Sequence, residues 1–109
     1  MNTFRLYGLS LKAARLVGPV AKSIGRSDPD LARQLRRALC SVHLNLAEGM
    51  DARGRNRPLR YQSALGSANE CIAALEVAEA LDYIARDEQA YDALQHVRAT
   101  LIRLVYEPR

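Results

Sequence analysis

The chain has 109 residues, of which 49% are hydrophobic and 26% are charged, with a formal net charge of +4 and two cysteines. This size suits one domain with one modest core over residues 1–109, and the composition argues against a disordered chain or a disulfide framework. Because two cysteines make no disulfide framework, we expect a reducing cytoplasm. No apolar run approaches the ~18 residues that cross a bilayer, so we expect no membrane contact.

The first predicted element is a helix over residues 4–24. Its apolar residues recur at three- and four-residue steps and share one face, and its basic residues lie on the other. Pro19 falls on the polar face, so we expect a kink rather than an end. The turn that follows offers Gly25 for a left-handed cap, Asp28 for an N-cap and Pro29 for the first helical position.

The second predicted helix spans residues 29–50. Its apolar stripe predicts a core face that consists of Leu31, Leu35, Ala38, Leu39, Val42 and Leu46. Ser41, Asn45 and Glu48 flank this stripe at positions i, i+4 and i+7. Leu44 points nearly opposite to the core, which suggests an interface if apolar neighbours join it.

The third predicted helix spans residues 57–84, after an Arg-rich connection with Gly54 in it and Asn56 as a candidate cap. Its first half has one apolar side, which we expect to be buried: Tyr61, Ala64, Leu65, Ala68, Cys71, Ile72 and Leu75. Its second half adds a different apolar side: Ala73, Val77, Leu81 and Ile84. A helix with two apolar sides needs two partners, so these four residues and Leu44 are the predicted subunit contacts.

The fourth predicted helix spans residues 88–106, with Asp87 as its cap. Its stripe predicts a core face of Tyr91, Leu94, Val97, Leu101 and Leu104. Short connections place successive helices antiparallel. The predicted fold is therefore all-α, an antiparallel up-down-up-down four-helix bundle.

Charge is unevenly divided between the two halves of the chain. Residues 1–60 hold twelve Arg and Lys against four Asp and Glu, a net of +8, whereas residues 61–109 have a net of −4. This division indicates an anionic partner, or packing of the basic half on the acidic half within one chain or between subunits. The predicted nucleic-acid contacts are Arg33, Arg36, Arg37, Arg53, Arg55, Arg57 and Arg60.

Arginine forks match phosphate geometry and stay ionised, which favours binding to the backbone of RNA or DNA. We expect Tyr61 in the core, so no aromatic platform for bases is visible and binding should be poor in sequence specificity. The alternative is that these arginines form a solvated surface or pair across a subunit interface.

Catalytic and metal-binding patterns are weak in this chain. It has no Glu-x-x-His pair of the kind that holds two metals in a bundle, and no glycine-rich phosphate loop. A site of Cys40, His43, Cys71 and His96 is conceivable, but buried cysteines are common core residues. We predict no metal, no cofactor and no enzyme activity.

The polar residues of the second and third helices have two interpretations. Glu48 and Glu70 could form a general acid/base pair if the helices bring them together. A structural polar network is the more typical arrangement. We expect this network to contain Ser41, Asn45, Glu48, Ser67, Asn69 and Glu70.

Three segments resemble a known family. Ser41-V-H-L-N-L-A-E-Gly49, Ala64-L-G-S-A-N-Glu70 and Leu81-D-Y-Ile84 are similar to the four-helix-bundle family named for proteins encoded in intervening sequences of 23S ribosomal RNA genes. The resemblance covers about residues 30–85. Two departures stand out: Val42-His43 replaces a usual Ile-Pro, and Asp82 replaces a usual glycine.

The resemblance implies a bacterial bundle that assembles as a ring, commonly a homopentamer. It also implies kinship with the accessory variability proteins of diversity-generating retroelements, which bind nucleic acid and a reverse transcriptase. Our first hypothesis is a non-enzymatic oligomeric accessory protein that binds RNA or DNA and assists a reverse transcriptase or a ribosomal-RNA-associated element. Its rival is a structural or protein-binding homo-oligomer without nucleic-acid binding.

Overall fold

The computed structural model describes residues 3–107, and this range forms four helices and no strand. The helices are α1 (Thr3–Gly25), α2 (Pro29–Asp51), α3 (Asn56–Ala80) and α4 (Glu88–Tyr106). The predicted all-α four-helix fold is confirmed. The predicted domain also includes Met1, Asn2, Pro108 and Arg109, which lie outside the described residues.

Each helix packs on two neighbours, because α1 and α3 both contact α2 and α4. Contacts along α2 and α3 run in reversed order, since Ser41 lies against Ser67 and Glu48 pairs with Arg60. The same holds for α3 and α4, where Asn69 bonds to Arg98 and Glu76 to Tyr91. Ser10 near the start of α1 contacts His43 in the second half of α2. Neighbouring helices are therefore antiparallel, in a molecule of 43 × 22 × 20 Å. The starts of α1 and α3 and the ends of α2 and α4 all lie at one end of the long axis.

The core is built from the apolar stripes that the helical period predicts. All seven residues expected to be buried in the first half of α3 are at most 7% exposed. In α4, Leu94, Val97 and Leu101 are buried as predicted, and Ala90 joins them. Burial of these stripes is the main favourable term for a bundle of this size.

The predicted N-caps of α2 and α4 are confirmed. The Asp28 carboxylate accepts a hydrogen bond from the Leu31 amide at 3.0 Å, and Asp87 accepts one from the Ala90 amide at 3.0 Å. Each carboxylate satisfies one of the amides that have no partner in the first helical turn, and suits the positive end of the helix dipole.

Two other predicted helix ends are wrong. Gly25 is the last residue of α1 rather than a left-handed cap, and an added Cβ there would lie 3.4 Å from the Ala32 Cβ. Asn56 does not cap α3, because the helix begins at Asn56 itself after Arg55 in a helical conformation without a side-chain cap. Pro19 lies inside α1, which continues through it.

Helix α3 ends at Ala80 instead of the predicted Ile84. Asp82 adopts a left-handed conformation with φ 61°, and the Asp82 amide donates to the Glu79 carbonyl at 3.0 Å. The Tyr83 amide donates to the Ala78 carbonyl at 2.9 Å, which completes a Schellman-type termination. Aspartate tolerates this conformation better than most residues because its short polar side chain bonds locally.

The early end of α3 changes its predicted second apolar side. Ala73 and Val77 are exposed on the helix, whereas Leu81 lies in the turn with 54% of its surface exposed. Ile84 is partly buried and packs against the core, so it is not an exposed contact residue. The assignment of Ile84 to this outward side was wrong because the helical period stops before it.

Gly49 and Tyr61 make the closest backbone approach between α2 and α3. A Cβ placed on Gly49 would lie 2.6 Å from the Tyr61 Cε1 atom and 2.9 Å from its Cδ1 atom. Tyr61 is only 4% exposed, so its ring has no open space to move into. Only glycine allows the ring to pack directly on the α2 backbone.

Gly49→Ala should therefore lower the free energy of unfolding by about 1–3 kcal/mol through overpacking, although alanine is the better helix former. Urea denaturation measures this change. Gly66→Ala is the matched control, because an added Cβ there meets nothing within 4 Å. It should raise stability by about 0.5–1 kcal/mol. A Gly49→Ala protein as stable as the control would contradict the role of this contact.

Candidate nucleic-acid interface

The Arg57 side chain contacts backbone carbonyls at the end of α2 and in the residue that follows it. Its Nε donates to the Ala52 carbonyl at 3.1 Å, and its Nη2 lies 3.4 Å from the Met50 carbonyl. Carbonyls at the end of a helix have no partner within the helix, so a guanidinium there acts as a cap. Arg57 therefore has a structural role in this chain, and its predicted contact with nucleic acid stays a prediction.

Two further arginines pair with carboxylates of their own chain. Arg60 Nη1 lies 3.0 Å from Glu48 Oε2, and Arg33 pairs with Asp30 one turn before it on α2. Both pairs are about half exposed or more, and such pairs contribute only about 0–1 kcal/mol. A phosphate could replace either carboxylate at little cost.

The remaining four predicted arginines are Arg36, Arg37, Arg53 and Arg55. All are exposed, and none has an ion pair within residues 3–107. Arg36 and Arg37 line one open groove along α2 together with Arg60, with a volume of about 470 Å³. Arg53 and Arg55 flank Gly54 in the connection between α2 and α3, where Gly54 has φ 59°. These four guanidiniums are the best donors to a phosphate backbone.

Three of the six predicted polar residues form a network between α2 and α3. The Ser41 and Ser67 hydroxyl oxygens are 2.7 Å apart, so one donates to the other. The Asn45 amide nitrogen donates to the Ser41 carbonyl at 2.9 Å and lies 3.1 Å from the Ser41 hydroxyl. This network joins the middle of α2 to the middle of α3.

The other three residues lie outside this network. Glu48 pairs with Arg60, and the Asn69 side-chain oxygen accepts from Arg98 Nε at 2.7 Å, which joins α3 to α4. Ser67 and Asn69 are two positions apart and so point to different sides of the helix, a separation that excludes a shared network. Glu70 lines the groove between α2 and α3.

Glu48 and Glu70 do not form a general acid/base pair. Ser41 lies opposite Ser67, and the antiparallel helices carry Glu48 and Glu70 away from that point in opposite directions. The offset is seven residues on one helix and three on the other, or about 15 Å at the rise of an α-helix. The carboxylates are too far apart to act on one substrate bond.

Charge is separated along the long axis of the bundle. We call the segments 3–10, 48–62 and 100–107 the basic end, because they hold six arginines against three carboxylates. The opposite, acidic end comprises 22–34 and 76–92, with eight carboxylates against four cations. The connection that carries Arg53 and Arg55 belongs to the basic end, so the rest of that end strengthens its positive field.

Apolar residues are exposed on two different faces. Leu44 is 59% exposed and lines a groove of about 390 Å³ between α1 and α2, together with Leu11 at 37%. Val77 on α3 is 45% exposed. Sequence reasoning identified Leu44 and Val77 but missed Leu11, which lies next to the apolar stripe of α1 rather than within it.

The cysteines and histidines do not assemble a metal site. Cys71 is buried in the core, and burial raises the pKa of its thiol to about 12, whereas Cys40 is exposed. Within residues 3–107, no three His, Cys, Asp or Glu residues are placed to hold one metal ion. In the same range, no helix combines the length and apolar character that a membrane crossing requires.

His43 instead joins α2 to α1. Its Nδ1 lies 2.5 Å from the hydroxyl oxygen of Ser10, which is buried, and its ring centroid lies 4.1 Å from that of Tyr7. His43 therefore forms a side-chain contact between α1 and α2.

Comparison with known proteins identifies relatives of the whole bundle. The model of the 23S rRNA-intervening sequence protein family matches residues 4–105. A crystal structure of a protein of unknown function from the S23 ribosomal protein family, from Bacteroides thetaiotaomicron, is 25% identical with a TM-score of 0.80. The similarity covers 93% of this chain and 98% of that chain. The comparison with curated proteins gives no match.

His43 makes stability depend on pH. Burial lowers the pKa of His43 below its ordinary value of 6.5, so the unfolded chain binds a proton more readily than the folded one. Stability from this group is present above pH 6.5 and is lost as the pH falls toward the folded pKa. His43→Asn should reduce the fall in melting temperature between neutral pH and about pH 5.5. An equal fall in both proteins would contradict this role, and His96→Asn, at an exposed position, is the control.

Proposed function

This chain belongs to the 23S rRNA-intervening sequence protein family, and we propose that it is a non-enzymatic, cytoplasmic accessory protein that self-associates and binds RNA or DNA. The observation that carries the proposal is the set of four exposed arginines without an ion pair in their own chain: Arg36, Arg37, Arg53 and Arg55. On this proposal, the nucleic acid belongs to a reverse-transcription complex or to a ribosomal-RNA-associated element.

Binding would act on the phosphate backbone. Each guanidinium presents paired donors to phosphate oxygens and displaces counterions from the nucleic acid, so affinity falls as salt rises. Arg60 can join these four when a phosphate displaces its exposed partner Glu48. Contacts from these arginines to phosphates carry no sequence information, and so binding would favour no particular sequence.

A titration with a labelled RNA hairpin and a labelled DNA duplex at about 50 and about 200 mM salt tests this proposal. Four phosphate contacts per chain predict a slope of log K against log salt of about −3 to −4. Arg36→Gln with Arg37→Gln should make that slope about 2 units shallower.

Arg15→Gln with Lys22→Gln is the control, because it removes the same charge from exposed positions of α1. This control should leave the slope nearly unchanged. Absence of binding at the lower salt concentration, by a correctly folded protein, would overturn the proposal.

Self-association has its own support in the two apolar faces. The groove between α1 and α2 contains Leu11 and Leu44, whereas Val77 projects from α3 on a different face. Unlike surfaces form heterologous contacts, which close into rings when the rotation between subunits allows it. We propose that the groove of one copy receives α3 of the next.

These contacts alone support the second candidate function, a structural or protein-binding homo-oligomer without nucleic acid. The two functions differ only in the use of the arginines. Binding of the hairpin or duplex by the intact oligomer separates them: the first requires it and the second excludes it.

Val77→Asp should dissociate the oligomer, because it places a charge in an apolar contact that would have to be desolvated. Sedimentation equilibrium would then give the mass of one chain, against a multiple of it for the unaltered protein. Gln89→Asp adds the same charge at an exposed position in the first turn of α4 and should keep the mass unchanged. An unchanged mass for Val77→Asp would remove this residue from the contact.

A further inference from the structure

The two most exposed large apolar side chains of the described residues are both aromatic. Phe4 is 76% exposed and Tyr106 is 70% exposed. The remaining tyrosines within residues 3–107 are buried or partly buried: Tyr7, Tyr61, Tyr83 and Tyr91. Within residues 3–107, the Phe and Tyr rings that are mostly exposed are therefore those of Phe4 and Tyr106.

Both rings lie at the basic end. Phe4 is in the first turn of α1, and Tyr106 is the last residue of α4. Because α1 and α4 are antiparallel neighbours, the start of one lies beside the end of the other. Arg5 and Arg103 are exposed on the same two helix ends, one residue after Phe4 and three before Tyr106.

The basic end thus combines exposed rings with many guanidiniums. The connection between α2 and α3 contributes Arg53 and Arg55 to this end, and Leu59 adds an apolar side chain that is 55% exposed. Proteins that bind single-stranded nucleic acid combine these two elements: a cationic surface holds the backbone, and aromatic rings stack with the bases.

We propose that the basic end binds single-stranded RNA or DNA, with bases stacked on Phe4 and Tyr106 and phosphates held by Arg53 and Arg55. This inference rests on the proposed nucleic-acid function and restricts its ligand to single strands. Bases of a duplex already stack on each other and offer their faces only at the strand ends, whereas every base of a single strand has a free face. The surface therefore favours single strands over duplexes.

This assignment differs from the expectation drawn from the sequence. Tyr61 is in the core as predicted. It is the only tyrosine next to the Arg-rich connection in the sequence, and because it is buried it cannot stack with bases. The rings that replace it come from the first and last helices. They share one end of the bundle with the arginines because the start of α1 and the end of α4 lie on the same side as residues 52–55.

The test uses the full-length protein and three labelled probes of about 20 nucleotides: oligo-dT, an abasic strand with the same phosphates, and a blunt duplex. Fluorescence anisotropy at one salt concentration measures the three affinities. We expect oligo-dT to bind on the order of tenfold or more tightly than the abasic strand, because only it can stack. Equal affinity for these two strands would overturn the proposal.

Two double variants test which residues of the basic end contact the bases and which contact the phosphates. Phe4→Leu with Tyr106→Leu keeps apolar bulk, and it should weaken oligo-dT binding on the order of tenfold per ring while leaving the abasic strand and the salt slope unchanged. Arg53→Gln with Arg55→Gln should weaken both strands by the same factor. If the first variant loses its helical circular dichroism, it is misfolded and its affinities do not count. The comparison of oligo-dT with the abasic strand in the unaltered protein then decides.

The outcomes distinguish this inference from the proposed function. Binding of all probes in proportion to their phosphates, with no effect of the ring variant, overturns stacking but leaves the arginine contacts. Binding of no probe overturns both. A ring variant with a smaller mass in sedimentation would show that Phe4 and Tyr106 contact another copy of the chain, and this too would overturn the inference.

Discussion

The contact of the Tyr61 ring with the Gly49 backbone is the constraint on which the α2–α3 pair depends. A side chain at Gly49 would occupy the space of the ring, so this glycine is what allows the end of α2 and the start of α3 to approach so closely. That approach puts Ser41 opposite Ser67, and it brings Arg57 within reach of the last carbonyls of α2. With Arg57 bound there, the short connection is held against the helix ends while its neighbours Arg53 and Arg55 project into water.

Local chemistry was enough to predict most of the fold. The 3.6-residue period identified the buried sides of all four helices, and Asp28 and Asp87 marked two helix starts because a cap needs only the three residues that follow it. The end of α3 was not predicted, because it depends on Asp82 in a left-handed conformation that usually favours glycine. The apolar pattern continues through Ile84, and no local signal separates the helical part from the turn.

The candidate site was predicted less well, because the state of each polar side chain depends on residues distant in the sequence. The seven predicted arginines cannot be distinguished in the sequence. Only the packing of α3 on α2 shows that the Arg57 side chain is hydrogen-bonded to backbone carbonyls, whereas Arg53 is exposed. Asn69 and Arg98 are 29 positions apart, so their hydrogen bond could not be expected from either helix alone. Phe4 lies two positions before Leu6 of the α1 stripe, and Tyr106 lies five after Leu101 of the α4 stripe, so the helical period itself places both away from the core. Only the packing of the helices shows that the two rings lie at the same end of the bundle as Arg53 and Arg55.

The separation of charge along the bundle changes what the net charge of +4 means to a partner. The screening length of water at physiological salt is about 8 Å, far shorter than the 43 Å between the extremes of the molecule. A molecule that approaches one end therefore senses almost nothing of the other. To an approaching partner, the two ends of the protein act as separate surfaces of opposite charge. The eight carboxylates at the acidic end therefore do not weaken the attraction of an anion to the arginines at the basic end.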